Sequence, residues 1–142
     1  MKKIILLINS LFLLTTYSIA QTKIPIEIIK IYDGDTIKAK LENGNKFNMR
    51  LFGIDCYETS KINRAYKQAY NDRMSVEEVV NNGLKAKKYL EELHSKVKCA
   101  SFNFKGIDKY NRILGVLYFE NENINQKLIN ENYCKVYEFK ED

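Results

Sequence analysis

The chain holds one histidine, His94, and no Cys-x-x-Cys pair. One imidazole and scattered thiols do not fill a four-ligand zinc shell, so a zinc site is set aside. His94 reads instead as a solvent-facing residue at a helix C-terminus, where a cation suits the helix dipole. There is no internal repeat and no low-complexity segment. A large surplus of one charge is also missing: the formal net charge is +5. That permits a polyanion as partner without demanding one. Small lysine clusters at Lys85-Lys87-Lys88 and Lys96-Lys98 read as a solvated helix face and a strand edge.

Long apolar runs are absent too. Residues 4–14 are apolar except for Asn9 and Ser10, too short a stretch to span a bilayer. Lys2 and Lys3 precede it, and Ser18-Ile19-Ala20 places small residues where a signal peptidase reads. Residues 1–20 are therefore expected to be a secretory signal peptide cut after Ala20. No cysteine follows the run, so neither a lipid nor a membrane anchor is expected. Losing Lys2 and Lys3 lowers the charge from +5 to +3 and leaves residues 21–142, one domain's worth of chain.

Cysteine is sparse: Cys56, Cys99 and Cys134. Export permits a disulfide, and three thiols leave one unpaired. Cys56 falls among candidate site residues, so the expected pair is Cys99–Cys134. Three free, mostly buried thiols are the alternative.

Residues 24–31 are rich in β-branched side chains and read as a strand, with the only proline, Pro25, near its start. Asp33-Gly34-Asp35 is a turn, and residues 36–41 alternate apolar and basic as a second strand. Asn43-Gly44 marks a hairpin. Residues 46–54 form a third strand, with Phe47, Met49 and Leu51 on one face and Asn48, Arg50 and Phe52 on the other. Residues 59–74 are polar and read as a mobile loop. Ser75-Val76-Glu77-Glu78 is a capping box opening a helix that runs to about His94, with a break allowed at Asn82-Gly83. Residues 97–104 read as a fourth strand, with Val97, Cys99, Ser101 and Asn103 on one face. A turn follows at 106–111, then a fifth strand at 112–119, a loop at 120–123, a short helix at 125–131 and an extended tail at 133–139. Five short strands with a helix between the third and fourth, and a short helix after the fifth, fit a small Greek-key barrel of α+β, mainly β character.

Acids and arginines sit at the ends of these strands: Asp33 and Asp35, Arg50, Asp55 and Glu58, and Arg112. Carboxylates so placed can converge on a hard cation. A guanidinium fork matches two phosphate oxygens. Each group alone has a plainer reading, as a turn, a surface ion pair or a helix start. Together they make up the parts for hydrolysing a phosphodiester. Tyr57, Tyr66 and Tyr70 offer rings on which bases could stack, against the commoner roles of packing on the barrel or lying on the surface.

Three segments in order bear a family likeness: Tyr32-Asp33-Gly34-Asp35-Thr36-Ile37; Arg50-Leu51-Phe52-Gly53-Ile54-Asp55 with Glu58-Thr59; and Asp108-Lys109-Tyr110-Asn111-Arg112. With a helix between the second and third, the chain resembles the staphylococcal nuclease (thermonuclease) family from about Ile28 to about Tyr137. The resemblance implies an OB-fold barrel and a secreted, calcium-dependent endonuclease of DNA and RNA, leaving 3′-phosphate and 5′-hydroxyl ends. It implies that Asp35 and Asp55 bind calcium through carboxylates and Cys56 through its main-chain carbonyl, with Asp33 behind them. Glu58 then handles the attacking water, Arg50 and Arg112 hold the phosphate, and Lys109 and Tyr110 lie near the nucleotide's terminal phosphate. Cys56 stands where the family commonly has Thr, and Tyr57 where it has Pro. The C-terminal helix of the best-known members has no match here, and Tyr137 is the nearest counterpart of their pocket tyrosines. A monomer is expected. The competing expectation is a noncatalytic OB-fold module that binds nucleic acid or protein; intact Asp35, Arg50, Asp55, Glu58 and Arg112 speak for the enzyme.

Overall fold

A computed structural model describes residues 22–138; the signal peptide expected over residues 1–20 lies outside them. Eight strands and three helices are described, in the order β1 (Ile24–Ile31), β2 (Thr36–Lys40), β3 (Lys46–Leu51), β4 (Ile54–Cys56), α1 (Asn63–Asp72), α2 (Val76–Ser95), β5 (Ala100–Ile107), β6 (Ile113–Phe119), β7 (Glu122–Asn123), α3 (Ile124–Asn130) and β8 (Cys134–Val136).

The main sheet runs β3-β2-β1-β5-β6-β7, and β3 also pairs with β6 in parallel, which closes five strands into a mixed barrel. This is the OB-type α+β barrel expected. Alternation along the strands fills it. Ile37, Ala39, Met49, Leu51 and Leu117 are wholly buried, while Leu90 of α2 and Ile124 and Leu128 of α3 close the core from outside. Asn125 ties α3 to the closure: its side chain accepts from Leu117 N (2.9 Å) and donates to Phe52 O (2.8 Å) and Gly115 O (3.3 Å).

The structure differs from the sequence expectations in several places. The expected third strand stops at Leu51, turns at Gly53 (φ +78°), and resumes as β4. The expected tail is partly a strand: β8 pairs antiparallel with β4, Asp55 opposite Lys135 and Cys56 opposite Cys134. The expected loop at 59–74 contains α1. Its entry residue, Ile62, makes no side-chain cap bond, its first turn has no acid, and its buried strip is Ala65, Gln68 and Ala69. Sequence signals for helices are caps and large apolar residues, and α1 has neither. The fourth expected strand starts later, at Ala100, and is bulged between Phe104 and Gly106; its neighbouring Phe102 and Asn103 are both buried. The allowed break at Asn82-Gly83 does not occur; α2 is continuous, capped by the Ser75–Glu78 box. Among the described residues no helix is long and apolar enough to cross a membrane.

Candidate active site

The turn between β1 and β2 is built by its own side chains. Asp33 accepts from Asp35 N (3.0 Å), an Asx turn that bends the chain toward β4. Gly34 is required there: a Cβ would stand 2.9 Å from Cys56 Sγ and from Ala86 Cβ. Asp35 then lies almost wholly buried, accepting from Cys56 N (2.6 Å) and Thr36 Oγ1 (3.1 Å) and pairing with Arg50. Arg50, on the outward parity of β3 yet only 5% exposed, also donates to Asp55 Oδ1 (3.0 Å) and Ile54 O (3.3 Å). Asp35 and Asp55, 20 positions apart in sequence, thus share one guanidinium.

Glu58 is part of the same cluster. Its carboxylate forms an ion pair with Arg64 (Nε to Oε1 2.8 Å), and a second Arg64 nitrogen donates to Asp55 Oδ1. Its backbone N–H donates to Gln68 Oε1 (3.1 Å), whose Nε2 donates to Cys56 O (3.0 Å). α2 supports the loop from the other side. Gly83 lies against it so closely that a Cβ would sit 2.2 Å from Glu58 O and 2.6 Å from Tyr57 O. Burial raises the Glu58 pKa, and the Asp33 charge adds to it, against the opposing pull of Arg64 and Arg50. Asp33 is likewise raised by burial, opposed by Arg50, Thr36 and Arg112. Burial lowers the Arg50 pKa, with Asp55 opposing.

Arg112 enters from the turn before β6. It donates from Nε to Asp108 Oδ2 (2.7 Å), and Asp108 Oδ1 accepts from the Tyr110 and Arg112 backbone amides (2.9 Å each). Tyr110 is mostly exposed, with Arg112 and Lys109 each 5.4 Å from its ring centre.

The disulfide differs from the expectation. Cys56 bonds Cys134, joining β4 to β8, and Cys99 is free and exposed. Cys99–Cys134 was expected because Cys56 seemed reserved for the site. The conflict was false: a main-chain carbonyl is available whatever its side chain binds. Tyr57 turns its hydroxyl to Asp72 Oδ2 (2.8 Å), with Lys135 over its ring. Tyr66 and Tyr70 are exposed one turn apart on α1, on the face away from Arg64 and Gln68 by helical spacing. The tail reaches the barrel through Tyr137 N to Gly53 O (2.9 Å).

Sequence reasoning missed Arg64, Gln68 and Gly83. The available signal was Gly83 itself, since a glycine inside a helix costs about 1 kcal/mol relative to alanine and usually has a packing reason.

Among the described residues no three His, Cys, Asp or Glu side chains stand together as a metal-holding group; Arg50 lies between the two aspartates. The donors are all oxygen, however. Asp33, Asp35, Asp55 and Glu58 also outnumber Arg50 and Arg64 by two formal charges, Arg112 being paired with Asp108. That chemistry fits a hard divalent cation.

Comparison with known proteins agrees with the fold. Residues 48–142 match the family model described as Staphylococcal nuclease homologue. A protein of Haemophilus influenzae named an uncharacterized endonuclease is 30% identical over 136 residues, which is 93% of this chain and 64% of that protein. An uncharacterized protein of Methanocaldococcus jannaschii is 30% identical over 121 residues, 78% of this chain and 58% of that protein. The chain thus spans less than two thirds of the length of either relative.

Proposed function

Since the chain belongs to the staphylococcal nuclease homologue family, we propose that it is a secreted, calcium-dependent endonuclease. It acts as a monomer on DNA and RNA and leaves 3′-phosphate and 5′-hydroxyl ends. The observation that supports this best is the convergence of Asp35 and Asp55 on Arg50, with Glu58 held beside them.

Asp35, Asp55 and the Cys56 carbonyl would hold calcium; the carbonyl keeps a lone pair free beside the bond from Gln68. When bound, the ion supplies positive charge against the negative charge that builds on the phosphate. The chain's own residues do the rest. Arg50, preorganised in a largely buried setting, meets a nonbridging phosphate oxygen. Arg112 reaches the same phosphate or the leaving 5′-oxygen by releasing Asp108. Lys109 and Tyr110 lie beside Arg112 and contact the nucleotide's terminal phosphate. Glu58 accepts the proton of the attacking water or orients it. Asp33 holds the turn that presents Asp35.

The test is digestion of denatured DNA by purified protein with calcium and with a chelator, for the wild type and Glu58→Gln. Chelator-sensitive cleavage that falls by orders of magnitude in the variant is expected. Cleavage indifferent to the chelator would overturn the calcium-dependent reading, and no cleavage at all would leave a noncatalytic binding module.

A further inference from the structure

We propose that Arg64 is a positioning residue of this site: one guanidinium that fixes the Glu58 carboxylate against Asp55, while weakening the hold of the same acids on a cation. The proposal rests on the nuclease reading above.

Arg64 lies in the first turn of α1. Its Nε stands 2.8 Å from Glu58 Oε1 as an ion pair, and Nη2 donates to Asp55 Oδ1, the oxygen that Arg50 also uses. Nε and Nη2 lie on one edge of the planar guanidinium, so the bridge holds the two carboxylates at a set spacing along that edge. A lysine has one nitrogen and no such plane. The base of Arg64 is itself fixed. Ala65 and Ala69 pack with Val79 of α2, and Gln68, one turn on, holds Glu58 N and Cys56 O. Helix α1 therefore grips the loop between Asp55 and Glu58 at the first acid, the Cys56 carbonyl and the last acid.

A plain surface ion pair would need none of this framing. The Arg64 side chain is 47% exposed, and such pairs add little stability. Its removal should therefore leave the fold intact. Two opposing effects remain. Without Arg64, Glu58 loses its orientation. Without its charge, Asp55 loses a competitor to the divalent ion.

The experiment compares the full chain with Arg64→Ala and Arg64→Lys. It reads kcat and KM on denatured DNA at saturating calcium, calcium affinity by calorimetric titration without nucleic acid, and thermal melting. For Arg64→Ala the expected result is a kcat lower by roughly 10–100-fold, the usual cost of losing a partner that orients a site's inner ligands, with KM changed far less. Calcium should bind several-fold tighter, on the order of tenfold at most for one unit charge near the ion. Arg64→Lys should restore the wild-type calcium affinity but not kcat. An unchanged kcat, recovery of kcat by lysine, or a joint loss of turnover and calcium binding would each overturn the proposal. A wild type without chelator-sensitive cleavage would overturn the nuclease reading and this proposal with it. An active wild type with fully active Arg64 variants would overturn the Arg64 proposal alone.

Discussion

Arg50 and Arg112 are both proposed to meet the phosphate, yet their surroundings differ. Arg50 is buried between two carboxylates, whereas Arg112 is partly exposed and held by Asp108. Removing either should lower kcat by about 10²–10³, the value of one preorganised donor. Only Arg50→Ala should also unfold the protein readily, because it strands the buried Asp35 charge, a loss of about 3–5 kcal/mol. Thermal melts and kcat on the two alanine variants separate these effects. That Asp35, Arg50, Asp55 and Glu58 lie together was legible in the sequence, because each stands at or just beyond the end of a strand-like run. Arg64 and Gln68 were not. They lie in a polar stretch whose charges look like a solvated surface until a helix orients them. Cys56 was misread because one residue serves twice, by carbonyl and by sulfur.

The elements beside the site act through packing. Gly83→Ala gains about 1 kcal/mol of helix propensity. The added methyl, however, meets Glu58 and Tyr57 carbonyl oxygens at 2.2 and 2.6 Å, backbone atoms that cannot rotate away. Overpacking of this kind costs about 1–3 kcal/mol. A variant that still folds, by circular dichroism, but has lost most of its kcat is the expected outcome. Ser75→Ala removes a complete capping box and should cost about 1 kcal/mol with activity intact, read by denaturant melts. The α1 end is joined to β8 through Asp72, whose pKa is lowered chiefly by its bond from Lys135. A depressed carboxylate adds stability above its unfolded pKa of about 3.9, and that stability fades as pH falls through the lower folded value. The melting difference between wild type and Asp72→Asn should therefore be present at pH 6 and shrink toward pH 2. The barrel and α2 were readable from alternation and caps; α1 carries no side-chain N-cap and buries only small or polar residues, and β8 depends on β4, a partner distant in sequence that local pattern does not reveal.

At the scale of the whole molecule, the barrel closes through β3–β6, and the Cys56–Cys134 bond closes the chain a second time across 78 residues. A loop of that length implies about 4.5 kcal/mol of stabilisation in the chain-entropy account. A reductant, or Cys134→Ser, should lower the melting temperature accordingly. Because Cys56 Sγ also lies under the Asp33-Gly34-Asp35 turn, the same treatment should reduce cleavage before the fold is lost, as shown by assays below the new midpoint. Thiols stay reduced in a typical cytosol and oxidise on export. Under the proposed export, a newly made chain would lack this second closure until it met an oxidising compartment, and would gain its full rigidity only there.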